Sequence, residues 1–486
     1  MSNYVPTIGL EIHAELKTKT KMFCRSKNDA NESRSNINIC PVCMAHPGTL
    51  PAINRAAVRS VLRVGVALGA TLADYTEFDR KNYFYPDLPK GYQLSQYEYP
   101  LVSGGELHGV QITRVHLEED TASSIHEEGV GTTVDYNRAG IPLMELVTEP
   151  VISSAKQAGD FARELQLLLR TLEVSEANME KGEMRVEANI SVSNTSELGT
   201  KVEVKNLNSF RAMERAVEYE IKRQTALLER GEKVIQQTLG WDEGKQATFP
   251  QRVKEGSADY RYFPDPDLPS MKLSEIPEFN PERLRGGMPQ LPSERRARYL
   301  SLGVKKEDAD AYVREPHLGK FFEEVISGYE GDSIKVALAS NYISNDLVNI
   351  TSSFAKATKD RRDTQKRDTE ERHEIHISAR NFRKIIDMVA ERKISSRAAK
   401  DILTESVKSG RDPEEVAKSG NLYQVSAGND FEAVVAEVLS ENASVVNDFK
   451  KGKEAALEYL VGQSMKALRG AGDPVALREL IRSKIS

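Results

Sequence analysis

The sequence predicts an α+β fold, a strand-rich region followed by a helical one, and three observations lead there. Residues 4–269 carry alternating apolar and polar segments such as EMRVEANISVS and TKVEVKNL, separated by turn signals such as VSGGEL. Prolines then cluster between Pro264 and Pro292, and beyond them apolar residues recur at helical spacing with few β-branched alternations. A chain of 486 residues is too long for one ordinary core, so two or three domains are expected, with the first boundary near residue 290.

The elements follow in order. Residues 9–16, GLEIHAEL, set Glu11, His13 and Glu15 at every second position, so a strand would give them one face and Ile12, Ala14 and Leu16 the other. On its own such a strand more often has a merely solvated polar face. Next come the helix AAVRSVLRVGVALGA and the run FDRKNYFYPDLPKGYQLSQYEYPL, where Arg80, Lys81 and Lys90 interleave with Phe78, Tyr83, Phe84, Tyr85 and Tyr92. Aromatics of this kind stack bases beside phosphate-holding lysines, or equally pack as surface tyrosines. In RVHLEEDTASS, Glu118, Glu119 and Asp120 repel one another unless a cation compensates, and hard oxygen ligands suit Mg²⁺. Glu145 lies within the apolar IPLMELV, where an ionised carboxylate needs a partner. The helix AKQAGDFARELQLLLRTLEV follows, then MRVEANIS with Arg185, Glu187, Asn189 and Ser191 alternating against apolar residues. A helix over residues 210–229 comes next, then RVKEGSADYRYFPDPDLP with Arg252, Lys254 and Glu255 ahead of Tyr260, Arg261, Tyr262 and Phe263. Several strands with one ionisable face suggest a sheet that floors a pocket. The helix in LPSERRARYLSLG is expected to be capped by Ser293 and to close at Gly303.

Net charge of -6 excludes a global field for coating nucleic acid and leaves local basic patches for any such contact. The stretch 356–373 is dense in both charge signs and nearly devoid of large apolar residues, so it is assigned no chemistry. An amphipathic helical hairpin is expected in DFKKGKEAALEYLVGQSMKALRG, rimmed by Lys450, Lys451, Lys453, Lys466 and Arg469. The amino terminus has no secretory pattern and no apolar run approaches a bilayer span, so a cytoplasmic protein is expected. Cys24, Cys40, Cys43 and His46 give C-x15-C-x2-C-x2-H, in which only the three cysteines are ligands certain by type where structural zinc takes four. Zinc therefore stays open. The absence of G-x-x-x-x-G-K-[ST] means that any ATP phosphates are held by side chains and a metal, and the absence of G-x-S-x-G argues against hydrolytic nucleophile chemistry.

Taken together, GLEIHAELKTKTKMF, PGTLPAIN, FDRKNYFYPDLPKGYQLSQ, HLEED, NRAGIPLMELVTEP, EANIS, KVEVKNLNSF and VKEGSADYRYFPDPDLP resemble the B subunits of the aspartyl/glutamyl-tRNA amidotransferases, nearly end to end. The resemblance implies a β-rich cradle-like catalytic domain over 1–290, a helical domain over 291–410 and a small helical tRNA-binding tail over 411–486. It implies ATP-dependent conversion of Asp-tRNA(Asn) and Glu-tRNA(Gln) into Asn-tRNA(Asn) and Gln-tRNA(Gln). That makes the chain a carbon–nitrogen ligase with glutamine as nitrogen donor, in a heterotrimer whose other members are an amidase, the A subunit, which releases ammonia from glutamine, and a small C subunit. By the same resemblance, Glu11, His13, Glu119 and Glu145 surround Mg²⁺, and Lys81 and Lys90, with Tyr83 and Arg138, lie near the phosphate pocket and the mouth of an ammonia passage. Lys450, Lys451, Lys453, Lys466 and Arg469 would meet tRNA. Three departures stand out: Ser26 where metal-binding members carry a second cysteine of a C-x-C pair, Glu187 where many carry aspartate, and the charged stretch as an insertion.

A carboxylate must be activated before ammonia can displace its oxygen, and phosphorylation by ATP does this through positioning and charge neutralisation. One tension remains within the strand. Strict alternation sets Glu119 opposite His116 and Glu118, so the chain must end or bulge there for Glu119 to face a metal. Two competing readings are a non-catalytic tRNA-binding scaffold and a metal hydrolase acting alone.

Overall fold

The computed structural model describes residues 4–127, 131–253, 259–351, 375–424, 429–468 and 474–485. The chain divides into two compact units, 1–292 and 293–486. Among the described residues no helix is long and apolar enough to cross a membrane.

The first unit is built on a ten-stranded mixed sheet. From one edge its order is Ala247–Val253, Gln237–Asp242, Val202–Leu207, Met184–Ser193, Val5–Glu15, Pro142–Thr148, Val110–Glu119, Val102–Ser103 and Thr71–Leu72, with Glu106–Leu107 paired off this path. Val5–Glu15 is central and antiparallel to both neighbours. Its sequence explains the position, because Ile8, Leu10, Ile12 and Ala14 are at most 1% exposed, as a central strand with one wholly covered face requires. Burying each of the larger three contributes about 1.5–3 kcal/mol.

Three helices cover that apolar face. Arg55–Ala67 starts where Asn54 accepts from the Ala56 and Ala57 N–H groups, and Ala155–Thr171 and Phe210–Glu229 start at Ser154 and Ser209, each accepting an N–H of the first turn. Their buried stripes join the strands in one apolar core. A Cβ at Gly65 would meet Leu72 Cδ2 and Val102 Cγ2 at 2.6 Å, so glycine there lets Arg55–Ala67 lie close on the sheet. The other face of the sheet is polar. Beside it, Asp79–Asn82 pairs with Tyr92–Ser95 and with Phe263–Pro264, which carries Lys81 and the tyrosine-rich segment that follows residue 258 to the same place.

The second unit is helical. Its first helix, Pro292–Ser301, takes Pro292 rather than Ser293 at its start, which corrects the expected cap; the fixed φ of proline suits the first helical position. Gly319 of Pro316–Ile326 has no room for a side chain, since a Cβ would meet the Tyr312 carbonyl oxygen of Lys306–Arg314 at 2.2 Å. Near the chain end Asn429–Glu441, Ala443–Lys450, Glu454–Ala467 and Pro474–Ile485 share an apolar cluster of their own, with Val435, Leu457, Leu460, Leu477 and Ile481 fully buried. The charged stretch 356–373 and Lys254, Glu255 and Arg469 lie outside the described residues.

Candidate active site

Strand pairing alone assembles a row of ionisable side chains on the polar face. His116 stands opposite Glu145, Glu145 opposite His13, and His13 opposite Arg185. Directly paired residues of antiparallel strands share a face, so four sequence segments meet in one line. Two-residue periodicity adds Glu11 and Glu15 beside His13, and Glu118 beside His116.

The side chains interact closely. His13 Nε2 lies 3.3 Å from Glu118 Oε1, 3.4 Å from Glu145 Oε2 and 4.0 Å from Glu11 Oε1, and His116 Nε2 lies 3.3 Å from the same Glu145 oxygen. Burial favours a neutral His13, but Glu118 and Glu145 outweigh it and hold the imidazole protonated well above its usual range. Burial likewise opposes ionisation of Glu145, and the two histidines overcome it, keeping that carboxyl well below its usual range. Glu11 lacks so close a partner: burial first, then the charges of Glu145 and Glu187, push it up to about 7. Lys205 reaches Glu187 at 2.7 Å at the edge of this group.

These residues fit a divalent cation. One donor atom each of Glu11, His13 and Glu145 lie within 4.8 Å of one another, and so do those of His116, Glu118 and Glu145. Glu118 Oε2, His116 Nδ1 and Asn189 Oδ1 are buried on this face with no hydrogen-bond partner. A buried carboxylate oxygen left unpaired is costly, and a cation bound by oxygen ligands relieves that cost. The proton that Glu118 and Glu145 hold on His13 offsets part of the clustered negative charge until a cation displaces it.

Of the expected metal group, Glu11, His13 and Glu145 come together and Glu119 does not. The register between Val110–Glu119 and Pro142–Thr148 runs unshifted through Leu143–Glu118 and Pro142–Glu119, and the irregularity falls at Val147/Thr148 instead. Alternation therefore holds to the strand end, Glu118 takes the inward place, and Glu119 turns to the opposite side. There it accepts from the Leu94 N–H at 3.0 Å and pairs with Lys90. The two lysines are thereby separated in role: Lys90 lines a cavity of about 280 Å³ with Glu119, Cys24 and Cys43, whereas Lys81 faces the acidic row. Burial would lower the Lys81 ammonium, yet Glu118, Tyr262 and Glu145 hold it above its ordinary range. Its ring neighbour is Tyr260, at 5.2 Å from the centroid. Tyr83 donates to Gln93 Oε1 at 3.3 Å and sits edge-on to Tyr260.

Arg138 is part of a bracing network. It pairs with buried Asp120, reaches Glu15 at 3.2 Å and donates to the Gly182 carbonyl at 3.3 Å, while Arg185 reaches the other Asp120 oxygen at 3.1 Å. Burial opposes ionisation of Asp120, and the two arginines overcome it, holding the carboxyl below its usual range. Of the acids that the sequence offered for Mg²⁺ in RVHLEED, the resemblance selected Glu119 over Glu118, and it gave no role to His116 or Arg185, although the two-residue period from His116 to Glu118 marks that pair.

The three cysteine sulfurs cluster within 4.8 Å, and no histidine or carboxylate completes the group among the described residues. Ser26 Oγ lies 3.9 Å from Cys43 Sγ, and so does the ammonium of fully buried Lys21. A fixed cation beside the thiols and an incomplete ligand set do not fit a closed four-ligand zinc centre. In the tail, Lys450, Lys451, Lys453 and Lys466 are exposed, with Lys453 3.1 Å from Asp448.

Comparison with known proteins gives matches over most of the chain. Residues 6–276 match the family described as GatB/GatE catalytic domain, and residues 320–485 match the GatB domain. The B subunit of the aspartyl/glutamyl-tRNA(Asn/Gln) amidotransferase of Thermus thermophilus is 42% identical, with 98% of each chain covered. The protein of the same name from Caldanaerobacter subterraneus is 40% identical over 99% of each chain, and that from Carboxydothermus hydrogenoformans 38% over 100% of each.

Proposed function

The chain belongs to the family of aspartyl/glutamyl-tRNA(Asn/Gln) amidotransferase B subunits, and from that premise we propose that its acidic row activates the side-chain carboxylate of a mischarged aspartyl- or glutamyl-tRNA at the expense of ATP. The observation that carries this reading is the arrangement of His13 between Glu118 and Glu145, with a buried Glu118 oxygen left unpaired and Lys81 facing the same group. In the proposed reaction the carboxylate oxygen attacks the terminal phosphorus of ATP, ADP departs, and the acyl phosphate is then attacked at carbon by ammonia with loss of phosphate.

Glu11, His13, Glu118 and Glu145 would hold Mg²⁺, which when bound neutralises phosphate charge and orients the phosphoryl donor. The residues of the chain itself do the rest. Lys81, kept charged by Glu118 and Glu145, counters the charge that spreads over the transferring phosphoryl oxygens. The Asp120–Arg138–Glu15 and Asp120–Arg185 contacts fix the strands that carry the row. Tyr83, Tyr260 and Tyr262 border Lys81 and shield it from water, which matters because an acyl phosphate hydrolyses when water reaches it. We assign Lys90 and Glu119 to the neighbouring cavity, at the side where ammonia would enter. That ammonia is supplied by an amidase partner in a complex that also contains a small third protein, and Lys450, Lys451, Lys453 and Lys466 contact tRNA in a tail domain over 411–486, distinct from a helical domain over 291–410.

Reconstitution with the amidase and the small third protein, glutamine, ATP and each mischarged tRNA tests the proposal. His13→Ala is expected to abolish ATP hydrolysis that depends on mischarged tRNA while tRNA affinity is retained. Loss of tRNA binding with unchanged turnover per bound tRNA overturns it in favour of a scaffold.

A further inference from the structure

The cysteine cluster borders the cavity of Lys90 and Glu119, takes no part in the bond changes of the proposed reaction, and has the geometry of a thiol–disulfide pair. Cys40 Sγ and Cys43 Sγ are 3.8 Å apart at the two ends of a C-x2-C turn closed by the Met44 N–H on the Cys40 carbonyl at 3.1 Å. The Cys40 N–H points at the Cys43 sulfur at 3.1 Å, and the Lys21 ammonium stands 3.9 Å from it. Lys21 is fully buried and is held by the Tyr136 carbonyl at 3.0 Å, so its nitrogen is fixed in place beside the sulfur; burial lowers the ammonium from its ordinary range, the cysteines act against that, and in its charged form it favours a sulfur anion. Cys43 opens on the cavity of about 280 Å³ that also admits Cys24, Lys90 and Glu119. Ser26 Oγ stands 3.9 Å from Cys43 Sγ, and among the described residues no fourth thiol, histidine or carboxylate joins the three sulfurs.

We propose that Cys43 and Cys40 are a reversible modification site for small aliphatic disulfides of the size of cystine. The Cys43 thiolate attacks one sulfur of the small disulfide, whose S–S bond breaks and releases one thiolate. A mixed disulfide on Cys43 results. Cys40 then loses its proton to solvent and attacks the Cys43 sulfur; the mixed S–S bond breaks, a second small thiolate leaves and the Cys40–Cys43 bond forms. Two protein thiols are oxidised and one small disulfide is reduced to two thiols. Closing the sulfurs from 3.8 Å to the bond length of about 2.05 Å is a side-chain movement within one turn.

The full-length chain is equilibrated in cystine/cysteine buffers of graded ratio with a chelator present, quenched in acid, and mapped by mass spectrometry. The expected product is an intramolecular disulfide joining Cys40 to Cys43, formed in the wild type and in Cys24→Ser. Cys40→Ser is expected to stop at one cysteine adduct on Cys43, and Lys21→Met to slow formation about tenfold near neutral pH, with Lys21→Arg restoring it. A disulfide that uses Cys24, the absence of any exchange, or a purified chain carrying one tightly held zinc whose removal is required before the thiols react would each overturn the proposal.

Discussion

Replacing Glu118 by glutamine tests the orientation of the acidic row most directly. The amide oxygen keeps the shape of the carboxylate and can still accept from His13, whose Nε2 lies 3.3 Å from Glu118 Oε1, so the strand pairing is untouched. What changes is one negative charge. Two unit charges 3.3 Å apart attract by about 5 kcal/mol at an effective dielectric of about 20. Relief of carboxylate desolvation returns roughly half of that, leaving about 2.5 kcal/mol less attraction for a bound cation. At 1.36 kcal/mol per decade the loss is about 70-fold. The assay is the Mg²⁺ dependence of ATP hydrolysis stimulated by mischarged tRNA in the reconstituted complex, with thermal unfolding measured on the same sample. Glu118→Gln should raise the half-saturating Mg²⁺ concentration by that factor while still unfolding in one cooperative transition, at a lower temperature because buried His13 loses a charged partner. Glu119→Gln should leave the Mg²⁺ requirement where it was. If the Glu119 variant shifts it and the Glu118 variant stays within threefold of wild type, the assignment of faces is refuted.

Asp120→Asn removes the acid between Arg138 and Arg185, and urea unfolding should show about 3 kcal/mol of lost stability, the lower end for breaking a buried pair because both arginines keep partial solvent access. The carboxyl of Asp120 is depressed in the folded protein, so its contribution is complete above the ordinary carboxylate range and fades as pH falls through the depressed value; the variant should flatten that part of the acid-unfolding curve. Gly319→Ala pushes a methyl against the Tyr312 carbonyl and should destabilise the second unit by about 1–3 kcal/mol in thermal melts, unlike an alanine at Gly303, where no heavy atom lies within 4 Å and only the positive φ of +85° opposes it. Neutralising Lys450, Lys451 and Lys453 together should reduce the slope of log affinity for tRNA against log salt by about 2 to 3, and an unchanged slope would remove these residues from the interface.

The alternation of residues 9–16 made one wall of the site legible in the sequence, and Glu145 stood out because an acid inside IPLMELV needs a partner. The choice between Glu118 and Glu119 was a matter of parity. The motif presents both, and only the uninterrupted register with Pro142–Thr148 decides that Glu118 joins His13. Lys81 and Lys90 look alike in a run of aromatics; Lys81 lies within Asp79–Asn82, whose pairing with Tyr92–Ser95 carries it toward the acids, whereas Lys90 precedes that second strand and pairs with Glu119. Lys21 was not singled out in the sequence, where KTKTKMF carries three lysines with nothing local to distinguish them. Its burial depends on the Tyr136 carbonyl, 115 positions away in the chain. The helix over 210–229 was legible to the residue, because Ser209 and the apolar spacing mark it locally.

The unshifted pairing of Val5–Glu15 with both neighbours has a consequence for how the sheet finds its native alignment. A slip of one residue in this strand would turn Glu11, His13 and Glu15 inward, into space now filled by helices, and expose Ile8, Leu10 and Ile12. Stranding two acids and an imidazole in that interior costs far more than the native state has to spare. The groups that serve chemistry thus also proofread the fold, and uncharged replacements at these positions would relax the penalty on a misaligned sheet before they altered the aligned one.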